Sequence, residues 1–341
     1  MEMRTAHKMK PGMNILASII AISVIALLTF GAAMNPITTA ILTVMVPYAV
    51  FAIFLAGFIY RIIRWAKAPV PFRIPTTCGQ EKSLPWIQNN PVENPAGPPG
   101  VIGRMAGEIF LFRSLFRNSQ TEIVDGRPVY GSAKWLWLFG LLFHLSLLAV
   151  ALRHLRFFTE PVVPLATGLS ALDGFLEIGV PALYISDVTL LAGLVFLFLR
   201  RVILPQVRYI SLFTDYFALL LIAAIVATGL LMRHFFPVDL NAVKTLAMGW
   251  VSFAPSAPAD ASILFYLHLC FVFVLIAWLP WSKLSHMAGI FLSPTRNQIN
   301  NSRSRRHVNP WNAPVKVHTY AEYEDEFRDK MKAAGLPVEK E

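Results

Sequence analysis

Four histidines stand in or beside two apolar stretches of the chain, and their type and spacing could do chemistry. His144 and His154 lie ten residues apart in the stretch 134–157, and His268 and His286 lie eighteen apart in and just beyond the stretch 262–283. An imidazole in hydrocarbon needs a polar partner or a metal, so such residues in a membrane segment point to function by default. Neutral imidazole is also a good ligand for iron, and two of them close both axial positions of a haem. A metal held in that way has no open site for oxygen or substrate and can only exchange electrons. Two antiparallel stretches with two histidines each therefore suit two bis-histidine haems, one toward each face of a bilayer.

The elements that must hold these residues are membrane helices. Of the 341 residues 55% are hydrophobic and only 15% charged, a charge content well below that of a soluble domain. The expected fold class is all-α: a polytopic membrane bundle of six helices, over 14–34, 37–63, 134–157, 181–204, 211–236 and 262–283. Each run has about 20 residues, enough to cross a hydrocarbon core. Pro47 falls inside the second and Pro280 near the end of the last, where each is expected to bend its helix. The domain plan is a polar N-terminus (1–13), two spans (14–63), a long polar loop (64–134), four spans with the candidate ligands (135–283) and a polar tail (284–341). Prolines and glycines break up the first half of the loop. Its later part, RMAGEIFLFRSLFR, places arginines around an apolar stripe that suits either the membrane interface or a neighbouring domain. The tail contains TYAEYEDEFRDKMKAAG, a charged helix with a glycine stop signal.

Six spans put both termini on one side, and the basic residues say which. Of 30 Lys and Arg, 26 fall in the N-terminus, the long loop, the loop after the fourth span and the tail; Arg153, Arg156, Arg233 and Lys244 fall opposite. Both termini are thus expected in the cytoplasm of a prokaryotic cell, with the chain in its inner membrane. The net charge of +10 belongs to this topology, which removes the case for nucleic acid. Cys78 and Cys270 form no CxxC motif, so an iron–sulfur cluster would have to sit in a partner. Cys78 is expected as a free thiol at a partner interface, and Cys270 as core filling.

Several residues have two readings. Arg153 and Arg156 flank His154 and could pair with haem propionates or anchor in the headgroups. Asp187, one to two turns into the fourth span, could accept a quinol proton or be hydrogen-bonded within the bundle. Asp215, at the start of the fifth, is a helix N-terminal carboxylate. His234 could contact quinol, replace an axial ligand or be a solvated surface imidazole. Helix arithmetic allows His144 with His286 and His154 with His268, at a cost of about 12 Å in height mismatch, or instead His154 with His234 and His144 with His268. A transporter whose intramembrane histidines relay an ion is the competing class, though no inverted repeat supports it.

With H-x9-H on one helix and H-x17-H on the last, the bundle resembles the NarI-type gamma subunits of respiratory nitrate reductase, which are di-haem cytochromes b. The stretches RWAKAPVPFRIPTTCGQEKSLPWI and NPWNAPVKVHTYAEYEDEFRDKMKAAGLPVEKE look like the DsrM branch, from sulfite-reduction-associated DsrMKJOP complexes. The resemblance implies two haems b, held by His144 with His286 near the cytoplasm and by His154 with His268 near the outer face. It implies menaquinol as electron donor and no catalytic residue for substrate reduction in this chain. Electrons would pass to DsrK, an iron–sulfur, heterodisulfide-reductase-like subunit that reduces the trisulfide carried by DsrC, with DsrJ, DsrO and DsrP as further partners. The sequence departs from the NarI pattern in its extra first helix, its longer second loop and His234.

Overall fold

A computed structural model describes residues 11–68, 90–174, 183–258, 261–301, 314 and 317–340. In chain order its helices are α1 (Pro11–Ala33), α2 (Pro36–Ala66), α3 (Pro98–Leu111), α4 (Lys134–Arg153), α5 (Pro164–Asp173), α6 (Ile185–Ile203), α7 (Phe213–His234), α8 (Leu240–Ser252), α9 (Ile263–Trp278) and α10 (Tyr320–Ala333). Five segments, Gly12–Ala33, Pro36–Ala66, Lys134–Phe157, Phe213–His234 and Ile263–Trp281, are long and apolar enough to cross a membrane. The chain is a multi-pass membrane protein. The expected fourth span appears as α6, 19 residues long; Asp187 in its first turn and Arg200 and Arg201 in its last set it apart from the five. Cys78, Glu177, the start of that span at Pro181, the basic N-terminal residues and Arg303, Arg305 and Arg306 lie outside the described residues.

Two antiparallel helix pairs form the frame. Along α4 and α6, Phe139 stacks on Phe196 (ring centres 4.2 Å apart), and Ser146 shares a 2.6 Å hydrogen bond with Thr189. Between these contacts Gly193 meets Phe143, where an added Cβ would come within 2.9 Å of the Phe143 Cβ. Along α7 and α9, Phe217 meets Trp278 edge to face at 5.0 Å and Thr228 meets His268. The first span lies beside the start of α7: Asn14 Nδ2 donates to Ser211 O at 3.2 Å and Ser18 Oγ to Phe213 O at 3.2 Å. These buried polar residues tie α1 to the bundle at one end, and its apolar residues Ile22 and Ile25 pack against the Phe217–Leu221–Phe271 core.

Both prolines change their helices as their chemistry requires. Ahead of Pro47, residues Ile41–Met45 form a π-helical turn. Pro47 has no N–H to give the carbonyl four residues back. That carbonyl, Thr43 O, instead accepts from Trp250 Nε1 at 2.7 Å, so the lost bond is replaced from α8. At the other end of the bundle, regular helix in α9 stops at Trp278 and short 3-10 turns follow, Leu279–Trp281 around the buried Pro280 and then Lys283–Ser285. Arg61 Nη1 donates to Pro280 O at 2.7 Å, joining α2 to this turn.

Three features were absent from the sequence reading. Helices α5 and α8 cover the end of the bundle where α4 finishes; Asp239 caps α8 by accepting from Asn241 N at 2.8 Å and Ala242 N at 3.3 Å. The fold is mostly helical rather than all-α, because Ser119–Val124 (β1) and Arg127–Ser132 (β2) form an antiparallel hairpin. Its Asp125-Gly126 turn has φ of +51° and +74°, the two left-handed residues of a tight turn that matches strand twist.

Candidate functional site

The four candidate histidines share one local arrangement. His144 Nδ1 donates to Gly140 O at 2.7 Å, His154 Nδ1 to Val150 O at 2.7 Å, His268 Nδ1 to Ile225 O at 3.0 Å and His286 Nδ1 to Lys283 O at 2.8 Å. A carbonyl oxygen can only accept, so the proton of each neutral ring must sit on Nδ1. The lone pair of each then lies on Nε2. Metal-bound histidines are oriented in this way, with the second ring nitrogen donating to a backbone carbonyl.

Two of the histidines come together: the rings of His144 and His286 are 6.0 Å apart, centre to centre, at 81°. His144 therefore lies beside His286. The chain is not a continuous helix to His286, since Ser282 is extended (φ −106°, ψ 176°) and turns it, so the height counted along an unbroken helix does not apply there. His154 begins the 3-10 turn His154–Phe157 at the end of α4. Between His144 and His154, Leu148 and Ala151 leave an open stripe along α4.

Residues not singled out in the sequence build the seats of these rings. Thr228 Oγ1 lies 3.0 Å from His268 Nδ1, and Gly229 gives the ring room: a Cβ there would stand 3.4 Å from His268 Cε1. At the inner end, Lys283 Nζ donates at 2.9 Å to both oxygens of Asp215, which also accepts from Leu212 N at 3.0 Å. Asp215 is thus the helix N-terminal carboxylate expected, and it also fixes the turn whose carbonyl holds His286. Phe112 and Phe143 each set a ring at right angles to His144, with centres 5.0 Å away.

At the outer end Arg153 and Asp187 serve each other. Arg153 is buried; its Nη2 donates to Ser186 Oγ at 3.1 Å and Asp187 Oδ1 at 3.2 Å, while Nη1 lies 2.8 Å from Asp173 Oδ2. Asp173 in turn accepts from Ser186 N and Oγ, both at 2.7 Å, and so caps α6. Tyr184 is sandwiched between the guanidinium groups of Arg153 at 3.8 Å and Arg233 at 4.1 Å. This knot gives Arg153 two carboxylates of its own and Asp187 a fixed cation. Arg156, half-buried, lies over Phe157 at 5.2 Å. His234 is half-buried with its Nε2 enclosed and without a hydrogen-bond partner.

Residues 129–301 match the family described as nitrate reductase gamma subunit. The chain is also 44% identical over 275 residues to the Hdr-like menaquinol oxidoreductase cytochrome b-like subunit of Archaeoglobus fulgidus, covering 79% of this chain and 82% of that protein. The chain belongs to the nitrate reductase gamma subunit family. The protein of the same description from Archaeoglobus profundus is 43% identical over 273 residues, 78% of this chain and 81% of that one. The gamma-subunit match contains all four candidate histidines and the α4–α6 and α7–α9 pairs; it begins within β2, after α1, α2 and α3.

Haem is the cofactor this family resemblance implies, and the residues fit it. An imidazole nitrogen sits about 2 Å from a bound metal ion, so two rings on opposite sides of one ion have centres about 6 Å apart. The spacing of His144 and His286 meets that requirement, and the four Nδ1–H donors leave Nε2 as the ligand atom throughout. No cluster of three or more His, Cys, Asp or Glu suited to a bare metal ion occurs among the described residues.

Proposed function

We propose that the chain is a di-haem cytochrome b that takes electrons from menaquinol and delivers them to a cytoplasmic partner. His144 with His286 and His154 with His268 would hold the two haems. The observation that supports this is the Nδ1–H donation shared by the four histidines, with the rings of His144 and His286 side by side. When bound, haem supplies reversible one-electron chemistry at an iron closed to other ligands.

The protein's own residues do the rest. Backbone carbonyls hold each imidazole in one tautomer. Asp215, through Lys283, fixes the turn of His286, and Thr228 and Gly229 seat His268. Arg156 is the arginine proposed for a propionate, since Arg153 is committed to Asp173 and Asp187. For the same reason Asp187 holds α6 to α4 rather than accepting a quinol proton. His234, with an unpartnered Nε2 near the outer pair's end of α7, is the remaining quinol contact.

The topology proposed is six crossings with both termini cytoplasmic. Helix α6 counts as the sixth because it runs antiparallel to α4 from Phe139–Phe196 to Arg153–Asp187. The domain plan then follows: the loop 64–134 and the tail 284–341 face the cytoplasm as docking surfaces, with spans at 14–63 and 135–283. The proposed acceptor is DsrK, a heterodisulfide-reductase-like subunit acting on the DsrC trisulfide in dissimilatory sulfur metabolism, with DsrJ, DsrO and DsrP in the same complex. The DsrM-like loop and tail sequences support this, as do relatives named as subunits of an Hdr-like menaquinol oxidoreductase.

Haem content and the reduced-minus-oxidised spectrum of the purified subunit, with and without a menaquinol analogue, test the reading. Two b-type haems per chain, at least one reduced by the quinol, are expected. Folded protein without haem would overturn it.

A further inference from the structure

Helix α3 is inverted for a segment outside the spanning helices. Its only charged residues, Arg104 and Glu108, are buried, at 2% and 7% exposure, while Ile102 and Phe110 are 70% and 66% exposed. Arg104 Nη1 donates to Thr295 O at 2.7 Å. Glu108 accepts from Ser114 N at 3.2 Å and lies 3.7 Å from Arg296 Nε. Both charges are thus spent inward, on the segment after His286 and on the turn that follows α3. The outward side carries Val101, Ile102, Met105, Ile109 and Phe110, which with Phe291 line an open apolar groove of about 370 Å³. A helix facing water would be arranged the other way round.

The end of α3 lies alongside the apolar body of α4. Trp137 Nε1 donates to Leu111 O at 2.7 Å, Leu115 lies against Gly140, and Phe112 meets the ring of His144. His144 is ten residues beyond the first residue of α4, about 15 Å along a helix rising 1.5 Å per residue. The last residue of α3 thus meets α4 about one turn from its start, and Phe112, next in the chain, reaches further along the apolar helix to His144. At that depth an outward charge is costly and an outward phenylalanine is not.

We propose that α3 is a membrane-embedded interfacial helix whose Ile102–Phe110 face, together with Phe291, is immersed in the acyl chains of the leaflet on the Lys134 side. Embedding α3 brings Phe112 to His144 from the lipid side. The proposal rests on the multi-pass topology and not on the haem assignment, so either can fail alone. The hairpin β1–β2 provides a contrast: it bears Glu122, Asp125 and Arg127 among its exposed residues and belongs in water.

The test is site-directed spin labelling of the full chain in phosphatidylcholine–phosphatidylglycerol vesicles, with Cys78 and Cys270 replaced by serine. Labels go on Ile102→Cys and Phe110→Cys, with Leu27→Cys on the exposed side of α1 as a lipid reference and Glu122→Cys as a water reference. Collision with oxygen and with a water-soluble nickel chelate is read at each site. The expected result is an oxygen-to-nickel ratio at 102 and 110 severalfold above that at 122 and close to that at 27. A ratio like that at 122 would put the face in water and overturn the proposal. Protection from both reagents would also overturn it, by showing that protein covers the face. Ile102 lies more than two turns from Phe110, so misfolding of one labelled variant leaves the other as an independent reading.

Discussion

The two histidine pairs are held by different means, and the difference lies in what each asks of α7. In the inner pair, His286 follows a break in helical structure and takes its orientation from Lys283, an exposed lysine paired with the buried Asp215 at the start of α7. In the outer pair, His268 sits within regular helix and takes its orientation from Ile225 and Thr228, two turns from the end of the same α7. Their partners on α4, His144 and His154, use a carbonyl four residues back in their own chain. One helix therefore supports both centres, through charge at one end and through close steric fit at the other. Perturbing α7 at either place should affect one pair and leave the other.

The largest expected effect comes from removing the rings themselves. His268→Ala is expected to abolish one of two haems and leave the His144–His286 centre, and His286→Ala to do the reverse. Haem-to-protein ratio and the split of the reduced spectrum check this. His234→Ala should keep both haems while weakening reduction by the quinol analogue. If His234→Ala halves the haem content instead, the ligand set is wrong.

Next in size is Arg153→Met. Removing one member of a buried ion pair costs about 3–5 kcal/mol, because the remaining charge is left uncompensated, and here two carboxylates would be stranded. A fall in the thermal midpoint of the purified subunit is the measurement. The Asp173→Asn, Asp187→Asn double variant in the Arg153→Met background should recover part of the loss. A propionate partner would behave otherwise, with haem loss at near-normal stability of the protein.

The fit at Gly229 comes third. A Cβ there would lie 3.4 Å from His268 Cε1, so Gly229→Ala requires a shift of a few tenths of an ångström and Gly229→Val a larger one. Overpacking of this kind costs about 1–3 kcal/mol. The valine variant should lower occupancy of the outer centre alone, measured against an unchanged inner centre. Asp215→Asn is the counterpart for the inner centre, and its effect should be smaller. Lys283 is 66% exposed and can be hydrated once released, so the pair contributes about 1 kcal/mol or less. Broadened spectra of the inner haem, with full occupancy of the outer one, are expected.

Much of this arrangement was legible in the sequence, and what was not follows a physical pattern. Long apolar runs gave the spans because length and composition alone decide whether a helix can cross. Pro47 and Pro280 marked the irregular places because a proline removes a donor wherever it stands. Thr228 and Gly229 were invisible because they matter only through a neighbour 40 residues away in sequence. Arg153 was read for a propionate or a headgroup because sequence shows a cation beside His154 but not the Asp173 and Asp187 that meet it. Helix α6 was expected as the fourth span in spite of its charged ends, whereas α8, short and amphipathic, had no span-length signal. The hairpin left the strongest trace, Asp125-Gly126 between β-branched residues, which went unread in a polar loop.

The smallest predicted effect is a pH dependence that separates the anchor of α3 from both histidine pairs. Burial alone would raise the carboxyl of Glu93, but hydrogen bonding and attraction from Arg113, with Arg117 and Arg104, hold it below the usual carboxylate range. Its stabilising contribution is therefore complete above the unfolded carboxylate value, about 4.3, and is lost as pH falls through the lower folded value. Hydrogen exchange of residues 90–117 should quicken as pH falls below about 4, beyond the intrinsic change with pH. In Glu93→Gln that extra slope should vanish, with exchange already faster at pH 6. The histidine pairs make a clean control, since their hydrogen bonds do not involve Glu93. If α3 loosens while both haem spectra hold, the two ends of α7 maintain the redox centres without help from the loop. If the inner spectrum shifts together with exchange in 90–117, Phe112 transmits the state of the loop to His144.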